Sequence, residues 1–166
     1  MVRVLITGAR GQLGSDLAAL IPDAVALGRE ELSITEPLGV ERAFATFRPE
    51  LVFNCAAYNA VDSAETDLGH PWAVNTVGPI TLAALCHRNG ARLVHFSTNF
   101  VFAGDAVRPY TERSRPRPLS RYGKTKLDGE RFVLSTSPDF LVVRSRRWRG
   151  DLCRRSGSDF YAHGAA

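Results

Sequence analysis

Val2-Arg-Val-Leu-Ile-Thr-Gly-Ala-Arg-Gly-Gln-Leu-Gly14 opens the chain, and its reading decides the fold. A short β-branched, apolar run ends at Thr7, glycines follow at positions 8, 11 and 14, and an amphipathic segment covers Ser15–Leu20. Strand, glycine turn and helix in that order begin a nucleotide-binding βαβ unit. Gly8 suits the sharp turn, Gly11 leaves room for a pyrophosphate against the backbone, and Gly14 lets the helix sit close on the strand. The unpaired N–H groups at the helix start then face the anion. The glycine spacing of three and three departs from the commoner two and three, so the loop takes its meaning from the rest of the chain.

Outward from that loop, short apolar runs alternate with helical patterns. Ala24–Leu27 reads as a second strand. Thr35 is placed to cap a helix with Glu36 and Pro37 in its first turn, which carries Leu38, Val40, Ala43, Phe44 and Phe47 toward a core. Leu51–Cys55 and Leu93–Ser97 read as third and fourth strands on either side of a helical stretch from about Pro71 to Arg88. Ser120–Leu134 reads as a further helix and Phe140–Val143 as a fifth strand. This alternation predicts an α/β fold, a Rossmann-like, doubly wound parallel sheet covered on both faces. Such sheets hold ligands beyond the carboxyl ends of their strands, where Gly8, Ala56 and Thr98 fall.

A chain of 166 residues suits one domain. No stretch is long and apolar enough to span a bilayer, and the opening strand lacks the basic start and cleavage pattern of a signal peptide, which predicts a cytoplasmic protein. Cys55, Cys86 and Cys153 are widely spaced and odd in number, forming neither a metal pattern nor a disulfide framework. His70, His87 and His95 have no ligand spacing and read as caps or partly buried polar groups; no metal site is expected. Asp62 and Glu65 read as a solvated face, and Trp72 and Phe96 as core or pocket wall. The net charge of +4 is local: residues 1–143 hold 15 Lys/Arg and 15 Asp/Glu, so the whole excess lies in the last 23 residues. A nucleic-acid binder spreads a basic stripe over its folded face, so nucleic acid is not an expected partner.

The chemistry concentrates between Ser97 and Lys126. Tyr122 and Lys126, four apart on a helix, share one face. A free tyrosine titrates near pH ~10, too high for efficient proton transfer near neutrality, and an adjacent ammonium favours the phenolate and lowers that value. Ser97 and Thr98 end the fourth strand, where a hydroxyl can bond a substrate carbonyl. A dinucleotide site selective for NAD places a carboxylate near the end of the second strand, but here Arg29 follows Gly28 and Arg10 lies in the glycine loop. Two guanidiniums suit a 2′-phosphate, which predicts NADPH as cofactor, with NADH still possible. Glu30 and Glu31 follow at once, so Arg29 can also be paired on the surface.

Taken together, these pieces resemble the extended short-chain dehydrogenase/reductase family, in its dTDP-4-dehydrorhamnose reductase branch. The resemblance covers residues 1 to about 144. It rests on Gly8-Ala-Arg-Gly-Gln-Leu-Gly14, Asn54-Cys-Ala-Ala-Tyr-Asn-Ala-Val-Asp-Ser-Ala-Glu65, Val74-Asn-Thr-Val-Gly-Pro79, Ser97-Thr-Asn-Phe-Val-Phe-Ala-Gly104, Pro109-Tyr-Thr-Glu112 and Tyr122-Gly-Lys-Thr-Lys-Leu-Asp-Gly-Glu130. It implies NADPH-dependent reduction of the 4-keto group of a dTDP-linked 6-deoxyhexose, the last step toward dTDP-L-rhamnose. By the same resemblance, Tyr122 supplies the proton, Lys126 tunes Tyr122 and binds the nicotinamide ribose, and Thr98 holds the carbonyl oxygen. Gly11, Gln12 and Leu13 line the pyrophosphate, Ala56, Ala57 and Tyr58 line the rest of the cofactor, and Ser33 and Ile34 match an adenine-side pair. Thr98, Asn99 and Tyr122 fall against the nucleotide-sugar substrate.

The departures fall at Ser33, Asn99, Phe100 and Ala103, where the family usually has Asp, Asp, Tyr and Asp. They bear on the substrate more than on the fold. Residues 145–166 read as a basic tail without apolar period or family resemblance, expected to be disordered and to look like translation in a shifted frame. The fold is thus expected to lack most of the family's substrate-binding lobe, leaving a Rossmann domain over residues 1–144 with an unpaired sheet edge that invites association, a homo-oligomer included. The alternative is a non-catalytic NAD(P)-binding regulatory subunit or inactive remnant; the regulatory β subunit of methionine adenosyltransferase is similar to this family.

Overall fold

The computed structural model describes residues 1–67, 69–146 and, as backbone, 160–163. β1 (Val4–Thr7) leads through the glycine turn to α1 (Gln12–Leu20) and β2 (Val25–Leu27). α2 (Pro37–Phe47) precedes β3 (Leu51–Asn54). A long helical run follows, built from α3 (His70–Trp72), a π turn (Ala73–Val77) and α4 (Gly78–Asn89). β4 (Arg92–Thr98), α5 (Arg121–Thr136) and β5 (Leu141–Ser145) complete the alternation. The sheet order is β2-β1-β3-β4-β5-β6, with five parallel strands and β6 (Phe160–His163) antiparallel on β5.

From β1 the chain steps outward to β2, then crosses back over β1 to β3 and continues in that direction. Right-handed crossovers therefore put α1 on one face of the sheet and α2, α4 and α5 on the other. The reversal leaves a crevice between β1 and β3 at their carboxyl ends, the ligand position of doubly wound sheets. Leu5, Val52, Leu93 and Val142, one from each of four strands, are fully buried against Val40, Phe44, Leu82, Cys86 and Val133 of the three helices. Burying each such aliphatic side chain contributes roughly 1.5–3 kcal/mol. The alternate residues Phe53, Val94, Phe96, Leu141 and Val143 face the other way and are only half-buried, with the Phe53 and Phe96 rings stacked at 6.5 Å.

Three expectations need correction. Thr35 does not cap α2: its hydroxyl bonds that of Ser33 at 2.8 Å, and the helix instead starts at Pro37, whose fixed φ suits a first turn and which has no N–H to satisfy. Trp72 is not core but 51% exposed, and it lines neither of the two cavities at the crevice. The β5 edge is not bare, because residues 160–163 of the expected tail pair with Val142–Ser145 and take up its free backbone groups. The rest of the tail reading, from 147 to 159 and 164 to 166, lies outside the described residues.

Candidate active site

The glycine turn is built by two close approaches. Gly8 has φ +67°, and a Cβ there would fall 2.6 Å from the Ala56 nitrogen, two residues past the end of β3. A Cβ on Gly14 would run into the Gly8 carbonyl oxygen and lie 2.8 Å from Ala9 Cα. A side chain at either position pushes β1, α1 and the segment after β3 apart. Gly11 donates its N–H to Gly8 O at 3.0 Å and adopts extended geometry, so α1 begins at Gln12 with its first amides at the crevice.

Two cavities share the walls Gly11, Cys55, Ala57 and Asn59. The smaller, about 220 Å³, takes in Gly8, Arg10, Arg29, Ser33, Ile34, Ala56 and Tyr58. The larger, about 490 Å³, takes in Gln12, Leu13, Thr98, Tyr122 and Lys126. Of the residues assigned by sequence to catalysis, cofactor or substrate, only Gly14 and Asn99 line neither; Gly14 acts behind the turn, and the Asn99 side-chain oxygen is buried without a partner. Phe96 proves to be pocket wall.

Ser120 starts α5 by accepting the Gly123 N–H at 3.0 Å, and this start sets the face on which Tyr122 and Lys126 stand. Tyr122 is 6% exposed, with Phe100 edge-on to its ring at 5.6 Å. Its hydroxyl donates to Asn59 Oδ1 at 3.4 Å. Burial raises the Tyr122 pKa above its ordinary value, and a hydrogen bond with Thr98 works the other way. The expected lowering by Lys126 is therefore not what governs Tyr122 here. The ammonium is itself fully buried and donates from Nζ to Phe96 O at 2.7 Å. Burial brings Lys126 down to about 8, against the opposing pull of Glu130 and Cys55.

Several residues at the site escaped the sequence reading. Thr7, Asn54 and His95 are register partners on three adjacent strands and form a buried polar line under the crevice. Thr7 Oγ1 donates to Asn54 Oδ1 at 2.8 Å, which also takes the Ala56 N–H at 3.2 Å; Asn54 Nδ2 meets His95 Nδ1 at 3.0 Å. Burial and Lys126 hold His95 well below its usual range, so it stays neutral. Asn75, inside the π turn, bonds both backbone groups of Tyr58, at 2.9 and 3.1 Å, and fixes the strip Ala56–Tyr58 that floors the cavities. The Asn-x-x-x within Val74–Pro79 was visible in the sequence; its partner was not.

The buried lysine has a thermodynamic signature. Its pKa falls on folding from 10.5 to about 8, so between those values the unfolded chain binds the extra proton and stability rises with pH. The cost is fully present below the folded value. Lys126→Met is expected to stabilise the fold at pH ~7 by about 1–3 kcal/mol, less the loss of the bond to Phe96 O, with the advantage shrinking through the alkaline range. The half-buried Cys55 and buried Cys86 thiols, both pushed up to about 12, act oppositely at high pH. Cys86 does so equally in parent and variant, whereas Cys55 loses the lowering influence of Lys126 in the variant, so the comparison is read below pH ~9. Denaturant melts of both proteins at several pH values measure this difference.

The family model described as RmlD substrate binding domain matches residues 2–151. A probable dTDP-4,6-dihydroxy-2-methyloxan-3-one 4-ketoreductase of Streptomyces antibioticus is 44% identical over 164 residues, covering 96% of this chain and 54% of its own length. The dTDP-4-dehydrorhamnose reductase of Streptomyces griseus is 43% identical over 150 residues, covering 88% and 49%. Among solved structures, the dTDP-4-dehydrorhamnose reductase of Bacillus anthracis, in complex with NADP, superposes with TM-score 0.84 at 36% identity, covering 87% of this chain and 53% of that one. Similarity thus runs past Arg144, further than the motifs suggested, and the chain spans about half the length of these relatives. The glycine cradle, the Thr98–Tyr122–Lys126 group and these matches together make the chain a member of the RmlD substrate binding domain family, with dTDP-4-dehydrorhamnose reductases among its relatives.

Proposed function

We propose that the chain carries the cofactor cleft and acid residues of a dTDP-4-keto-6-deoxyhexose reductase that prefers NADPH. The observation that carries this reading is that Thr98, Tyr122 and Lys126 open onto a cavity sharing four wall residues with the smaller cavity at the glycine turn. A nicotinamide dinucleotide fits the residues present: the lack of a side chain at Gly8 and Gly14 lets the turn pack tightly against α1 and the segment after β3, and Arg10 and Arg29 border the smaller cavity. Gly11, Gln12 and Leu13 would hold the pyrophosphate, Ser33 and Ile34 the adenine side, and Arg10 and Arg29 a 2′-phosphate. When bound, the reduced cofactor supplies hydride to the sugar's C4.

The chain's own groups do the rest. Tyr122, kept neutral by burial, gives its hydroxyl proton to the C4 oxygen. Thr98 donates a hydrogen bond to that oxygen and holds it in place. Lys126 keeps a positive charge under the developing oxyanion and, through its backbone anchor at Phe96, a fixed position. The relatives are about twice as long, and positioning the sugar draws on contacts beyond the matched part, so turnover by these 166 residues alone is expected to be slow.

The test is NADPH titration of the purified chain, followed by NADPH oxidation with dTDP-4-keto-6-deoxyglucose and its epimer at C3 and C5. Oxidation that requires the sugar nucleotide supports the reading. Cofactor binding with no turnover at any enzyme concentration assigns the chain a binding role instead. Absence of dinucleotide binding by the folded chain sinks both.

A further inference from the structure

The carboxyl end of β2 carries a charge arrangement that composition did not disclose. Glu31, not Glu30, reaches back: its Oε2 accepts the Gly28 N–H at 2.7 Å and lies 3.8 Å from the Arg10 guanidinium. Arg10 in turn lies flat on Gly28, where a Cβ would fall 2.8 Å from its Cγ and Nε. The expected surface partner for Glu31 was Arg29; the structure gives it Arg10 instead. Arg10 and Arg29 both border the smaller cavity, beside Ser33 and Thr35. The carboxylate is therefore pinned by a backbone amide next to one of the two guanidiniums that border this cavity.

We propose that Glu31 sets how this cleft discriminates between dinucleotides with and without a 2′-phosphate, restraining a preference that Arg10 and Arg29 would otherwise make strong. The inference rests on the cofactor reading given above. A 2′-phosphate must draw Arg10 away from Glu31 and meets the fixed negative charge of the carboxylate. A free ribose 2′-hydroxyl meets no repulsion and can donate to the same carboxylate, the role an acidic residue at the end of this strand plays in NAD sites. One side chain thus weakens one ligand and supports the other. A purely structural ion pair would not do this: its loss would affect both ligands alike.

The experiment compares dissociation constants for NADPH and NADH, by quenching of tryptophan fluorescence or calorimetry, in the parent chain, Glu31→Gln and Arg10→Gln. Glutamine keeps an acceptor for the Gly28 N–H, and Glu31 is half-exposed, so the fold is retained and circular dichroism verifies it. Glu31→Gln is expected to move the ratio of the two constants toward NADPH by about 5- to 20-fold, combining a lost exposed ion pair with a stronger Arg–phosphate bond. Arg10→Gln is expected to move it toward NADH. Equal changes for both ligands, or an unmoved ratio in Glu31→Gln, overturn the assignment to Glu31 while leaving the cofactor reading intact. A folded parent chain that binds neither dinucleotide overturns both.

Discussion

Tyr122→Phe is expected to lower the rate of sugar-dependent NADPH oxidation by about 10²–10⁴-fold while leaving cofactor affinity unchanged. The substitution removes one oxygen and keeps the ring, so the edge-on contact with Phe100 and the start of α5 at Ser120 both persist. What disappears is the one hydroxyl that can pass a proton into the larger cavity from α5, leaving Asn59 Oδ1 without its donor. The pH dependence separates this role from packing. Reduction consumes the protonated phenol, and burial raises its pKa, so the parent rate persists through neutral pH; on the alkaline side Lys126, at about 8, loses its charge first and the phenol follows at higher pH. In Tyr122→Phe the residual rate has no such alkaline fall assignable to a phenol. Loss of activity accompanied by an equal loss of NADPH binding would mean that the hydroxyl serves cofactor binding and not proton transfer. Thr98→Ala offers the complementary check: it removes a bond that lowers the Tyr122 pKa, so the phenol's own fall moves further up while that of Lys126 stays in place.

The elements were legible because each is signalled locally. Strand and helix positions came from apolar period and glycine placement, and the observed β4 and α5 differ from expectation by one or two residues at each end. That Thr98, Tyr122 and Lys126 line one cavity was legible because the trio proposed as catalytic rests on one helix spacing and one strand end. Asn59, Asn75 and the Thr7–Asn54–His95 line were not, because their roles exist only between segments. His95 looks like any isolated histidine until register places it beside Asn54, 41 residues earlier. The direction of the Tyr122 shift was also illegible, since a Tyr-x-x-x-Lys spacing specifies proximity but not burial. Burial of both groups reversed the sign expected from proximity. Thr35 failed as a cap for a similar reason: a neighbouring hydroxyl, Ser33, competed for it.

Glu130→Ala is expected to destabilise the chain by about 3–5 kcal/mol, or about 6–20 °C in Tm, because it strands a buried guanidinium. Glu130 and Arg144 side chains are 1% and 5% exposed. Arg144 Nε and Nη2 grip the carboxylate at 2.7–3.1 Å, and the guanidinium carbon lies 5.1 Å above the Phe102 ring, itself stacked on Tyr110 at 4.2 Å. The pair therefore joins β5, α5 and the loop after β4. Replacing both partners by apolar residues of similar volume, Glu130→Leu with Arg144→Met, removes the stranded charge and is expected to recover most of the stability. It cannot recover the electrostatics of the neighbouring turn. Glu130 stands one turn beyond Lys126 and supports its charge, so in the double variant Lys126 drops below about 8 and loses part of its charge near neutrality. Stability and activity should then part company: a melt close to the parent, with a turnover rate depressed most at the alkaline end. A double variant as unstable as Glu130→Ala would show that packing around Phe102, not the ion pair, holds these elements together. One with restored stability and an unaltered pH–rate profile would remove Glu130 from the electrostatics of the site.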